Sequence, residues 1–170
     1  VDIDLSTQGH DLRVAEKNLQ LYHQLSGRAG RTGNSSTVYF QTYNTNNKII
    51  LDITSSSPVN FLNKEIEIRR KNNLPPFQRF ISLILTGENN IKLEKEALNF
   101  KSLIVNKIKG KVLGPVSAPI FKIKRKYRIR LLIRGPKSLK LQNSLAAAIY
   151  NYKFPSGIKL SVDVDPISFN

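Results

Sequence analysis

Apolar positions recur at helical spacing in the first part of this chain: Leu12, Ala15, Leu19 and Tyr22 fall on one face, three or four residues apart. Asp11 is a residue type that caps helix starts. A helix is therefore predicted from Asp11 into the glycine-rich stretch at Gly27. Before it, Val1, Ile3 and Leu5 alternate with Asp2 and Asp4, the period-two pattern of a strand. Residues 36–43 predict a second strand, with Val38 and Phe40 on one side and Thr37 and Tyr39 on the other. A short helix is predicted near 48–53. Alternation of strand and helix is the pattern of a parallel α/β sheet, here with too few strands to form a domain alone.

Ser57-Pro58 opens a helix predicted over 59–71, which closes at Asn72-Asn73 and Pro75-Pro76. Two consecutive prolines end a helix and stiffen the chain. Beyond them come a strand at 79–86 and a helix at 91–108 with Leu93, Ala97, Phe100, Ile104 and Ile108 down one side. Strands follow at 111–124 and 126–134, the first interrupted at Gly114-Pro115 and Pro119. Ser138 caps a helix whose inner face is Leu141, Leu145, Ala148, Ile149 and Tyr152. In the last strand, Ile158, Leu160, Val162 and Val164 are expected to face inward. The order βαββαβ predicts an α+β ferredoxin-like sandwich. Three parts result: 1–56, an α/β remnant; 57–76, a connector helix and Pro-Pro linker; and 77–170, a basic domain.

Charge sharpens that division. The net charge is +15, from 27 basic and 12 acidic residues. Residues 1–56 balance to zero, whereas 73–170 carry eighteen basic and five acidic residues. A domain this basic attracts polyanions, most often nucleic acid; a solvated lysine-rich surface is the alternative. The absence of cysteine excludes disulfides and cysteine-bound metal within these residues, and no apolar run approaches membrane-spanning length. With no methionine and a start at Val1, the chain is expected to be the C-terminal piece of a longer, cytoplasmic protein.

The cations concentrate at 121–131, where neighbours in a strand face opposite sides. Phe121, Ile123, Tyr127, Ile129 and Leu131 are expected in the core. Lys122, Lys124, Lys126, Arg128 and Arg130, with Arg125 at the bend, are the candidate DNA-binding residues. Like charges on one face repel one another until an anion such as a phosphate backbone neutralises them. With the aromatics on the inner side, no stacking platform for bases is expected.

A second chemical motif runs from Gln24 to Gly33. Arg28 and Arg31 each follow a glycine, Gly27 and Gly30, at the end of the first helix. Arginine keeps its charge and presents a rigid fork of donors to phosphate oxygens. The pattern resembles helicase motif VI, Q-x-x-G-R-x-G-R, of superfamily 2. That likeness implies the end of a RecA-like lobe, with Arg28 and Arg31 acting catalytically on the γ-phosphate and Gln24, Gly27 and Gly30 shaping the nucleotide site. Arginine fingers contribute roughly 10³–10⁵ in rate. No G-x-x-x-x-G-K-[ST] loop or acidic magnesium box accompanies the motif, so the chain alone is expected not to hydrolyse ATP. A glycine-rich helix end with two solvated arginines is the plainer reading.

Further segments extend the resemblance through nearly the whole chain: Asp11 to Glu16, Gln41-Thr-Tyr43, Arg69-Arg70 with Leu74-Pro-Pro-Phe77, Val112-Leu-Gly-Pro-Val116, Tyr127-Arg128 and Asp163-Val-Asp-Pro166. In this order they resemble the C-terminal part of the PriA family of bacterial primosomal helicases. The resemblance implies an ATP- and magnesium-dependent 3′-to-5′ DNA helicase that recognises stalled forks and D-loops and starts primosome assembly. It implies zinc held upstream of this sequence and none within it. It implies binding of branched and single-stranded DNA, of other primosome proteins, and of the acidic tail of single-strand-binding protein, with Lys140 and Gln142 as candidates for the tail. Ser138 stands where the family often carries arginine. A free-standing basic module of ribosomal type, without enzymatic activity, is the alternative; it would have no use for the arginine motif.

Overall fold

A computed structural model of the chain describes residues 13–29, 37–55 and 57–167. The chain forms two compact units, Val1–Ile68 and Arg69–Asn170.

In the first unit the described elements are helical: α1 (Val14–Ala29), α2 (Lys48–Ser55) and α3 (Pro58–Lys71), whose last residues enter the second unit. The apolar stripe read from the sequence closes a small core. Ala15, Leu19 and Tyr22 of α1 are buried with Ile50 and Ile53 of α2 and Phe61 of α3. Phe40 packs on Tyr22 with ring centroids 4.8 Å apart. The Lys64 ammonium donates to Asp52, tying α3 to α2. The strand expected at 36–43 is absent over its described part, 37–43, where only an isolated bridge forms at Gln41. Phe40 supplies one inward residue, but Tyr39 and Tyr43 stay exposed, and a strand needs a paired neighbour as well as alternation. The strand expected at 1–5, and Asp11, lie outside the described residues.

The second unit contains β1 (Arg79–Gly87), α4 (Asn90–Val105), β2 (Lys111–Ile123), β3 (Lys126–Gly135), α5 (Leu139–Tyr150) and β4 (Lys159–Val164). The strands form one sheet in the order β2-β3-β1-β4 with every neighbouring pair antiparallel. That order, with the βαββαβ succession, agrees with a ferredoxin-like sandwich. Ile81, Leu83 and Leu85 of β1 stand opposite Ile133, Leu131 and Ile129 of β3. Cross-strand partners share a face, and this face buries against Leu93, Ala97, Phe100 and Ile104 of α4 and Leu141, Leu145 and Ala148 of α5. Each fully buried leucine, isoleucine or phenylalanine of this set stabilises the fold by about 1.5–3 kcal/mol.

Side-chain caps set the helix starts. The Asn89 side chain accepts from the Lys92 N–H at 2.9 Å, and the Ser138 hydroxyl accepts from the Leu141 N–H at 3.4 Å. Helix α4 ends three residues before the predicted 108, because Ile108 reaches the core from a turn in which the Lys107 and Ile108 N–H groups both bond the Ile104 carbonyl. Of the predicted last strand, Ile158, just before β4, and Leu160 within it pack against the core. Val162 and Val164 are 46% and 40% exposed. Their alternation is right, but β4 is an edge strand and α5 does not fully cover its end.

Candidate nucleic-acid interface

The face of the sheet opposite the core carries the even-numbered residues of β1 and β3. Arg134 stands opposite Phe80, Arg130 opposite Ile84 and Arg128 opposite Thr86. β2 adds Lys111 opposite Arg134 and Val116 opposite Arg130, and β4 adds Lys159 opposite Thr86 and Asp163 opposite Ser82. Lys126, Arg128 and Arg130 therefore share one face, as their spacing predicts. Burial lowers the Arg130 pKa from its usual value, yet an arginine stays charged. The Arg128 guanidinium donates to the Ile120 carbonyl at 3.3 Å, across the hairpin.

The five-cation face expected from alternation does not form. The pairing of β2 with β3 shifts between Leu113 and Val116 and again between Ser117 and Lys122. Each shift moves β2 residues relative to the faces of β3. The second brings Lys122 opposite Tyr127, on the core side of the sheet. The Lys122 ammonium lies 4.5 Å from the Tyr127 ring centroid and donates to its hydroxyl at 3.2 Å. Ile123 pairs with Lys126 instead of joining the core, and is 41% exposed. Phe121, also expected inside, is 36% exposed, with its ring 5.2 Å from that of Tyr127. Lys124 and Arg125 form the turn itself, with φ of 46° and 66°. Non-glycine residues in that left-handed region cost about 1–2 kcal/mol each.

Several cations are tied into the fold. Arg134 Nε donates to Gln78 Oε1 at 2.9 Å and its Nη2 to the Asn72 carbonyl at 2.6 Å. Arg70 stacks 5.0 Å from the Phe77 ring centroid. Arg79 Nε meets the Asp165 carboxylate at 3.1 Å. These contacts give the segments Arg69-Arg70, Leu74-Pro-Pro-Phe77 and Asp163-Val-Asp-Pro166 a structural reason.

Lys140 and Gln142 lie on α5 but line different cavities. Gln142 borders an apolar groove of about 450 Å³ between α5 and β4, with Ile81, Leu145, Ile149, Val162 and Val164. Lys140 lines a cavity of about 290 Å³ with Lys107, Lys109, Ser138 and Ser144. Alternation along one hairpin could not find Lys107 and Lys109. A signal for them was present: no acidic residue occurs between Glu96 and Asp163.

In the first unit, Gln24, Gly27 and Arg28 lie exposed at the end of α1. Spacings of three and four put them on one side of the helix. Gly30 and Arg31 lie outside the described residues. An exposed guanidinium fits one phosphate oxygen pair; no cluster of three or more His, Cys, Asp or Glu suited to a metal occurs among the described residues. No helix among those residues is long and apolar enough to cross a membrane.

Comparison with known proteins adds a family. Residues 70–167 match the family described as Primosomal protein N C-terminal domain. Over 169 residues the chain is 38% identical to Replication restart protein PriA of Rickettsia felis, covering 99% of this chain and 26% of that protein. It is 32% identical over 164 residues to that of Synechocystis, covering 94% and 19%, and 29% identical over 172 residues to that of Haemophilus influenzae, covering 98% and 23%. The chain thus spans about a quarter of the length of the curated relatives it matches.

Proposed function

The chain belongs to the primosomal protein N C-terminal domain family, and from that premise we propose that it is the DNA-gripping part of a bacterial replication restart protein. The observation that carries this reading is the coincidence of the family match at 70–167 with a run, Glu96 to Asp163, free of interior acidic residues. Lys122, Lys124, Arg125, Lys126, Arg128 and Arg130 make the phosphate contacts, recognising charge and shape at branched or single-stranded DNA.

In the same reading the chain works within an ATP-driven helicase of 3′-to-5′ polarity that recognises forks and D-loops and starts primosome assembly in the bacterial cytoplasm. The first unit is then the end of a RecA-like lobe. Arg28 and Arg31 meet the γ-phosphate, and Gln24, Gly27 and Gly30 shape the approach. ATP with magnesium supplies the phosphoryl group whose developing charge the two guanidiniums offset. This chain contributes those donors, and its sequence carries no G-x-x-x-x-G-K-[ST] phosphate loop. Zinc, which the resemblance implies, falls to other residues, since the chain has no cysteine. The tail of single-strand-binding protein takes the apolar groove at Gln142; Lys140, in a separate cavity, contributes charge at a distance.

The test is titration of the chain with forked DNA across salt concentrations. Each phosphate contact to duplex contributes about −0.9 to the slope of log affinity against log salt, so six contacts predict a slope near −5. A flat response would remove phosphate contacts as the source of binding.

A further inference from the structure

The turn between β2 and β3 is built against local preference. Its two central residues, Lys124 and Arg125, both adopt positive φ, which makes it the two-residue type that favours Asn-Gly. Here both positions are long cations with a Cβ. The turn also lies past the end of the sheet's centre: β1 pairs with β3 only as far as Gly87 opposite Tyr127. Beyond that point the hairpin runs on by about two residues, roughly 7 Å at strand spacing. Because of the register shift, its cations fall on both sides, Lys122 on the face of Tyr127 and Lys126 with Arg128 on the other.

We infer that this hairpin enters the major groove of duplex DNA as a two-stranded ribbon, with Lys124 and Arg125 at the floor of the groove. The inference rests on the DNA-binding reading above and specifies its geometry. The major groove of B-DNA, about 12 Å wide and 8.5 Å deep, admits a two-stranded ribbon. Its walls are two rows of phosphates. Cations on one flat sheet face neutralise a single row, whereas a ribbon charged on both faces neutralises both. The long side chains of Lys124 and Arg125 then cover guanine N7 while their charged ends neutralise phosphates of the two walls. Strained backbone persists where the surrounding function requires the side chains it displays. The deep, narrow groove of duplex RNA excludes the ribbon.

Dimethyl sulfate footprinting of the full chain on a guanine-containing 20-base-pair DNA duplex tests this, alongside the double variant Lys124→Asn/Arg125→Gly. The wild type should protect guanine N7 and leave adenine N3 in the minor groove reactive. The variant should lose that protection, bind duplex DNA at least tenfold more weakly with a salt slope shallower by about 2, and melt roughly 4–8 °C higher as the turn relaxes. On duplex RNA the two proteins should differ by less than threefold. Wild-type binding without N7 protection, protection at adenine N3, a variant that keeps its footprint, or a variant that melts no higher would each overturn the insertion. Failure of the wild type to bind any DNA would instead overturn the DNA-binding reading itself.

Discussion

The Tyr152 hydroxyl donates to Glu96 at 2.6 Å, and Glu96 is the one charged residue buried among those described. The Tyr152 ring packs at a tilt on Phe100 and edge-on against Phe154, at 4.9 and 4.8 Å between centroids. Tyr152→Phe keeps those ring contacts and removes only the donor. Leaving a buried carboxylate without it should cost about 1–3 kcal/mol at neutral pH, measured by urea unfolding. The same pair gives an alkaline signature. Burial, then the hydrogen bond and charge of Glu96, push the Tyr152 hydroxyl up from 10 to about 12. The folded protein therefore holds this proton more tightly than the unfolded chain does. Its contribution is whole below pH 10 and is lost as pH rises through about 12. The stability gap between wild type and Tyr152→Phe should narrow between pH 8 and pH 11. A constant gap would mean that the tyrosine titrates alike in both states.

At the scale of elements, β2 shows both the reach and the limits of a sequence pattern. Its bounds, and those of β1, β3, α3 and α5, follow from alternation, proline breaks and the Ser138 cap. Its faces do not, because they depend on register, and register is set by two irregularities visible only across the pair. Lys122, Phe121 and Ile123 depart from the faces that alternation predicts for that reason. The outermost residues of β4 take the side that alternation predicts, Val162 opposite Leu83 and Val164 opposite Ile81, yet stay partly exposed, since alternation says nothing of whether a neighbour covers that side. Gly114 marks the first irregularity. It has φ of +93°, and a Cβ there would lie 2.7 Å from the Arg130 carbonyl oxygen and 3.2 Å from the Val116 nitrogen. Its own carbonyl accepts from the Lys101 ammonium, which joins β2 to α4. Gly114→Ala should destabilise the second unit by roughly 1–3 kcal/mol, seen as a melting point lower by several degrees. An unchanged melting point would show that the strand relaxes around the added carbon without cost.

At the scale of the whole chain, the two compact units differ in charge more sharply than any pair of elements. Residues 69–170 hold 21 basic and five acidic side chains, a net of +16, and residues 1–68 hold six and seven, a net of −1. The second unit also encloses a complete sheet-and-two-helix core, so it needs no apolar surface from elsewhere to fold. Long-range attraction of a phosphate backbone scales with local charge and is screened within about 10 Å at 0.1 M salt, so the first unit adds almost nothing to it. Residues 69–170 expressed alone should therefore fold cooperatively and bind forked DNA within about threefold of the full chain, with the same salt slope. Residues 1–68 alone should show no salt-dependent binding in the same anisotropy titration. Were affinity instead lost on separating the units, the contacts would have to be shared between them, and the charge of the second unit would be insufficient to hold DNA by itself.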